Sequence, residues 1–211
     1  MSYNIFLAGV GGQGLVLLSN IIGNACAKAD KKAVTGEQHG LSQRSGTVSI
    51  HLRIGEDAYS PLIPYGNADL LVSLEAIEAL RYIEYLKPDG IIVMNKNIMR
   101  PNVETWDLIF KKKQKYLVLD DITQRLKEIT NKIAIIDAIQ LAKEAGNPLT
   151  ENVVFLGAIS TLKILPIEEK YIRESIAETV PQKALEQNMR AFDLGKKSAY
   201  DSLCKLTECK M

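Results

Sequence analysis

Near its N-terminus the chain reads Tyr3-Asn4-Ile5-Phe6-Leu7-Ala8-Gly9-Val10-Gly11-Gly12-Gln13-Gly14-Leu15. Residues 3–8 are a short apolar run closed by glycine, and Leu15, Leu18, Ile22 and Ala25 then recur at helical spacing. The pattern predicts a strand, a glycine turn and a helix. Gly9, Gly11 and Gly14, with Gly12 and Gln13 between them, satisfy G-x-G-x-x-G in that context. Glycine lets the backbone turn tightly and present bare N–H groups. The helix N-terminus adds partial positive charge, so a phosphate or carboxylate can sit there. The alternative is that these glycines serve only the close packing of helix on strand or of subunit on subunit.

Outward from this unit, residues 32–35 read as a second short strand and residues 36–46 as a long polar loop. Val48, Ile50, Leu52 and Ile54 alternate with Thr47, Ser49, His51 and Arg53, the period of a half-buried strand that turns His51 outward. A turn at residues 55–57 leads to an extended segment, 58–61. Residues 69–74 read as a buried strand. Ile77, Leu80, Ile83 and Leu86 form one helical stripe, Lys87-Pro88-Asp89-Gly90 stops it, and residues 91–95 are the next strand. Strand, helix, strand predicts a parallel crossover. Asp121 and Asp137 each stand three residues before a glutamine, as helix starts do, with residues 133–136 as a strand between them. From Asn152 the spacing is helical, broken at Pro166 and Pro181. The basic run 111–113 with Lys115 reads as a solvated turn. The expected fold is α/β, a Rossmann-like, mostly parallel sheet with an antiparallel hairpin and a helical C-terminal region. It forms a single domain over residues 1–200, followed by a tail, 201–211.

With 211 residues, 46% of them hydrophobic, the chain can bury a sizeable core. Lys and Arg number 26 against 25 Asp and Glu, a net charge of +1 that gives no field for nucleic acid or an anionic membrane. Apolar runs are too short to span a bilayer, and no basic flank or cleavage site marks a signal peptide, so a soluble, cytoplasmic protein is expected. Three cysteines, Cys26, Cys204 and Cys209, are too few for a four-thiolate iron–sulfur cluster. Cys26 reads as a buried structural thiol and the other two as exposed tail residues.

Glu37 lies 37 − 14 = 23 positions past Gly14, near where a dinucleotide fold places its ribose-binding acid. That supports a free-standing NAD-dependent oxidoreductase. Against it, an ordinary dinucleotide domain would turn into its second crossover helix where this chain has Gln38-His39-Gly40-Leu41-Ser42-Gln43-Arg44-Ser45-Gly46. In that stretch Arg44 offers a forked cation for a carboxylate or phosphate, His39 can exchange a proton near neutral pH, and Gln43 adds hydrogen-bonding groups. A non-catalytic nucleotide-binding or assembly module is a third reading.

The glycine motif, Glu37-x-His39-Gly40-x-x-Gln43-Arg44-x-Gly46, Ser60-Pro61-Leu62-Ile63-Pro64 and Ala68-Asp69 together resemble the γ-type domain of 2-oxoacid:ferredoxin oxidoreductases. The likeness continues through Glu75-Ala-Ile-Glu78-Ala79-Leu80-Arg81 and Asn152-x-x-x-x-Leu156-Gly157-Ala158 to Asn188-x-x-Ala191-Phe192-x-x-Gly195. It thus covers nearly the whole chain. The His-Gly-x-x-Gln-Arg form of the loop is similar to the indolepyruvate branch, whose separate small subunit is called β, and a γ subunit for another 2-oxoacid such as pyruvate is the alternative. The resemblance implies a larger partner subunit that holds thiamine diphosphate and the iron–sulfur clusters, ferredoxin as electron acceptor through the complex, and coenzyme A as co-substrate. This chain would bind no cofactor alone and would be inactive alone. Its share would be to wall the common active site or to hold part of coenzyme A, with Gly9, Gly11, Gly12, Gln13, Gly14, Glu37, His39, Gln43 and Arg44 as the candidate residues. No catalytic residue and no metal ligand is assigned, and a homodimer of the isolated chain stays open. The tail cysteines match nothing in the family.

Overall fold

The computed structural model describes residues 2–40, 46–99 and 117–210. Six strands, β1 (Tyr3–Val10), β2 (Ala33–His39), β3 (Thr47–Ile54), β4 (Ala68–Ser73), β5 (Leu86–Asn95) and β6 (Ile133–Ile136), form one sheet in the order β2-β3-β1-β4-β5-β6. The pairs β1/β4, β4/β5 and β5/β6 are parallel, whereas β3 is antiparallel to both β1 and β2. The expected α/β architecture is present, and its antiparallel element is the β2–β3 hairpin.

Alternation along β1 assigns the two faces. Ile5 and Leu7 belong to a large core with α1 (Leu15–Lys28), α4 (Ala138–Glu144), α5 (Glu151–Ser160), α6 (Glu169–Thr179) and α7 (Leu185–Leu203). Phe6 and Ala8 belong to a smaller core with α2 (Ala76–Arg81) and α3 (Leu119–Lys127). Leu18, Ile21 and Ile22 of α1 are fully buried, and each such side chain contributes about 1.5–3 kcal/mol, enough to fix the helix against the sheet. At Asp137 the expected helix start is observed: its side chain accepts from Gln140 N–H at 3.3 Å and caps α4. Asp121 instead lies inside α3, reaching back to Val118 N–H at 3.2 Å.

Three expectations change. The polar stretch is not loop throughout, because β2 extends to His39, so Glu37 and His39 stand on an edge strand. Its edge position explains the polar composition, since only one side of β2 is paired. His51 does not face solvent; it is 1% exposed. Both faces of β3 are covered, and on the His51 side the chain after β3 returns over the sheet, so that Ile63 N–H donates to His51 Nδ1 at 3.0 Å. Phe6 and Tyr85 complete this packing, with ring centroids 4.8 and 5.2 Å from the imidazole. Finally, the helical stripe ends early. α2 stops at Arg81, a 3-10 turn covers Ile83–Tyr85, and β5 begins at Leu86, before Pro88.

The tail also departs from expectation. Cys204 and Cys209 form a disulfide, and an isolated bridge pairs Leu162 with Cys209. The basic run 111–113 with Lys115 lies outside the described residues.

Candidate functional site

At the carboxyl ends of β1 and β4 the following helices leave toward opposite faces, α1 into the large core and α2 into the small one. Such a point opens a crevice in an open α/β sheet. Here it is a cleft of about 290 Å³ lined by Gly12, Gln13, Gly14, Leu17, Leu74, Asn97, Met99, Pro148, Leu149, Glu151 and Asn152.

The glycine turn is held by its own glutamine. Gln13 Oε1 accepts from Val10 N–H at 2.9 Å, and Nε2 donates to the Leu74 carbonyl at 3.1 Å, tying β1 to β4. A Cβ at Gly9 would stand 2.6 Å from Leu15 Cδ1 and 2.7 Å from Gln13 Oε1, so a side chain there would displace the glutamine that holds the turn. Gly12 and Gly14 have φ of 95° and 77°, the left-handed region. Gly14 caps α1 without a side-chain acceptor, and its carbonyl accepts from Leu18 N–H at 3.0 Å. The first-turn N–H groups of α1 therefore point toward the turn without an intrahelical acceptor. Gly11 N–H donates to the Gly46 carbonyl at 2.9 Å, so the end of the β2–β3 connection abuts the glycine turn.

The opposite wall comes from two other connections. After β5, Met99 is positioned by Glu75, whose carboxylate accepts from Met99 N–H and Glu78 N–H, both at 2.9 Å, and Asn97 by its carbonyl, which accepts from Ala76 N–H at 3.1 Å. Burial raises the Glu75 carboxyl pKa above its ordinary range, and those two N–H groups oppose the rise. Before α5, Asn147 caps a 3-10 turn, Pro148–Thr150, that presents the exposed Leu149. Asn152 is buried, donating to the Gly14 carbonyl at 3.4 Å and accepting from Val153 N–H at 3.0 Å. The carboxyl of Glu151 is raised by burial and by the nearby Asp137, against a hydrogen bond from Asn95. With Gln13 and Asn152 engaged in holding the turn, the cleft offers glycine-loop backbone, Asn97, the Glu151 carboxyl and an apolar strip of Leu17, Met99 and Leu149.

The sequence-predicted residues are only partly brought together. Gly12, Gln13 and Gly14 line the cleft, and Gly9 and Gly11 support it. Glu37 and His39 lie on β2, separated from β1 by β3, a gap of two strand spacings or about 9.5 Å. They face each other, His39 Nε2 to Glu37 Oε2, at 3.4 Å. Glu37 therefore does not occupy the place of a ribose-binding acid next to the glycine turn. Gln43 and Arg44 lie outside the described residues. Sequence reasoning passed over Asn97, Glu151 and Asn152 as site residues. A signal for Asn152 was present: it is a buried polar residue in the first turn of α5, directly before the apolar run at residues 153–156.

The chain's donors do not fit a four-thiolate cluster, because Cys204 and Cys209 are bonded to each other and Cys26 is buried on α1 with its thiol pushed up to about 12 by burial. Among the described residues no helix is long and apolar enough to cross a membrane.

A family model described as "Pyruvate ferredoxin/flavodoxin oxidoreductase" matches residues 4–198. The chain belongs to this oxidoreductase family. Within the family, the chain is 42% identical to "Indolepyruvate oxidoreductase subunit IorB" of Thermococcus kodakarensis, over 95% of this chain and 98% of that protein. To "2-oxoglutarate synthase subunit KorC" of Methanocaldococcus jannaschii it is 25% identical, over 92% of each. The fold is that of the keto/oxoacid ferredoxin oxidoreductase gamma subunit from Geobacter sulfurreducens, with a TM-score of 0.69 at 22% identity over 96% of this chain and 98% of that one.

Proposed function

We infer that this chain is the small subunit of an indolepyruvate-type 2-oxoacid:ferredoxin oxidoreductase, active only with a larger subunit. The observation that carries the branch is the gap between 42% identity to an indolepyruvate oxidoreductase subunit and 25% to a 2-oxoglutarate synthase subunit over nearly equal lengths. The complex would decarboxylate an aryl-2-oxoacid oxidatively, pass the electrons to ferredoxin and deliver the acyl group to coenzyme A. Thiamine diphosphate and the iron–sulfur clusters belong to the larger subunit in this reading, which agrees with a chain whose cysteines are spent elsewhere.

The cleft at the glycine turn is this subunit's contribution. Backbone N–H groups at Gly12 and Gly14 suit an anionic group, and the strip of Leu17, Met99 and Leu149 suits an apolar stem beside it. Part of coenzyme A has both features. Arg44 and Gln43, in the connection that ends against the turn at Gly46, would add a forked cation and an amide. The NAD-dependent reading loses its main support with Glu37 two strands from the turn.

Co-purification tests the division of labour. Native complex recovered through a tag on this chain should contain a larger subunit with iron, labile sulfide and thiamine, and the lone chain should contain none of them. Stoichiometric iron–sulfur absorbance in the lone chain would refute the assignment.

A further inference from the structure

Beyond residue 198, where the family match ends, α7 runs into the loop closed by Cys204 and Cys209. The chain after α7 lies along the connection between α5 and α6. Lys163 N–H donates to the Glu208 carbonyl at 3.1 Å and Lys210 N–H to the Thr161 carbonyl at 2.8 Å, on either side of the Leu162–Cys209 bridge. The Lys210 ammonium donates to the carbonyls of Leu165 and Ile167 at 3.0 and 2.6 Å, and Lys163 pairs with Glu208 at 2.8 Å. Leu162, Leu165 and Ile167 are all buried.

The disulfide is placed to control this docking and little else. It joins residues only five apart, so it restrains the tail locally and constrains the unfolded chain far less than a long loop would. Both cysteines are partly exposed, within reach of a small thiol. The contact between α5 and α7 does not depend on it. Cβ atoms added at Gly157 and Gly195 would stand 1.9 Å from the Phe192 carbonyl and 2.0 Å from the Val154 carbonyl, so the two backbones meet directly midway along the helices. Cys26 is buried and cannot serve as a resolving thiol.

We propose that Cys204 and Cys209 form a redox-sensitive clasp: oxidised, it holds residues 204–210 across the α5–α6 connection, and reduced, it releases them and uncovers Leu162, Leu165 and Ile167. The exchange balances with a low-molecular-weight thiol as reductant. One thiolate attacks the protein disulfide and a second resolves the mixed disulfide, giving two protein thiols and one small-molecule disulfide. The reverse direction uses that small disulfide as oxidant.

The experiment uses the full chain equilibrated with either reduced or oxidised glutathione. Thiol titration in denaturant should find one free cysteine in the oxidised form and all three in the reduced form. Hydrogen exchange at the Lys163 and Lys210 amides should accelerate about tenfold or more on reduction, while α5 keeps its protection. The Cys204→Ser/Cys209→Ser double variant should show the reduced pattern in both buffers. Three results would overturn the proposal: a disulfide that resists millimolar thiol, equal protection of Lys163 and Lys210 in both forms, or a loss of protection that spreads through α5 and α7 together.

Discussion

At His51 the two ring nitrogens have different surroundings. Nδ1 accepts from Ile63 N–H, which assigns the proton to Nε2, and Nε2 is buried without a hydrogen-bond partner among the described residues. Burial holds the imidazole below its ordinary pKa. The folded chain therefore keeps His51 neutral while the unfolded chain takes up a proton as pH falls through ~6.5, so stability from this group is present above that pH and is lost toward the lower folded value. Urea midpoints should fall between about pH 7 and pH 5 by more in the native chain than in His51→Gln, which lacks this titration. Period-two alternation marked His51 as outward because alternation reports which face a side chain takes and says nothing of a later segment that covers that face. The glycines were legible because their chemistry is local. Gly12 and Gly14 both carry positive φ, but among the described residues only a Cβ at Gly14 would meet another side chain, Asn152 Nδ2, at 2.8 Å. Gly14→Ala should thus lower the melting temperature more than Gly12→Ala, each bearing about 1 kcal/mol of backbone strain. Gly12→Ala should instead show its effect in the Michaelis constant for coenzyme A, since its methyl would project into open cleft. For Arg44, replacement by lysine should leave assembly intact and raise the Michaelis constant of coenzyme A or of the oxoacid about tenfold or more. Unchanged constants at saturating partner would remove Arg44 from the site.

Elements whose cause is their own side-chain pattern were read well. β1, α1, β3, β4 and β6 follow from apolar spacing, and α4 follows from its cap at Asp137. Elements whose cause is a neighbour were read poorly. β2 runs on to His39 because β3 supplies its ladder, not because Gly36-Glu37-Gln38-His39 has strand character. The cleft's second wall was illegible for the same reason: Asn97 and Glu151 are separated by more than fifty positions in sequence and meet only because β5 and α5 share a sheet end. The tightest element contact is the α5–α7 crossing. Gly157→Ala and Gly195→Ala each place a methyl inside a facing backbone carbonyl and should destabilise by about 3 kcal/mol or more, read as a shift in denaturant midpoint. Gly23→Ala on α1, where a Cβ meets nothing within 4 Å among the described residues, is the control and should be neutral or slightly stabilising.

For the molecule as a whole, membership of the oxidoreductase family rests on a match spanning residues 4–198, and the six-stranded sheet agrees with a gamma-subunit fold. The likeness was legible in the sequence because its motifs are distributed along the chain, from the glycine turn to Asn188 and Gly195. What the chain does with its cleft was not, because a subunit's chemistry is completed by surfaces that its own sequence does not encode. Reconstitution decides whether this chain is a small subunit that works only in an indolepyruvate-type complex. Ferredoxin reduction is followed with this chain alone, the larger subunit alone and both together, with indolepyruvate, pyruvate and 2-oxoglutarate in turn and coenzyme A present. Turnover is expected only from the pair, with kcat/KM highest for indolepyruvate; oxidation of a 2-oxoacid by this chain alone, or a pair that prefers pyruvate or 2-oxoglutarate, would overturn the assignment.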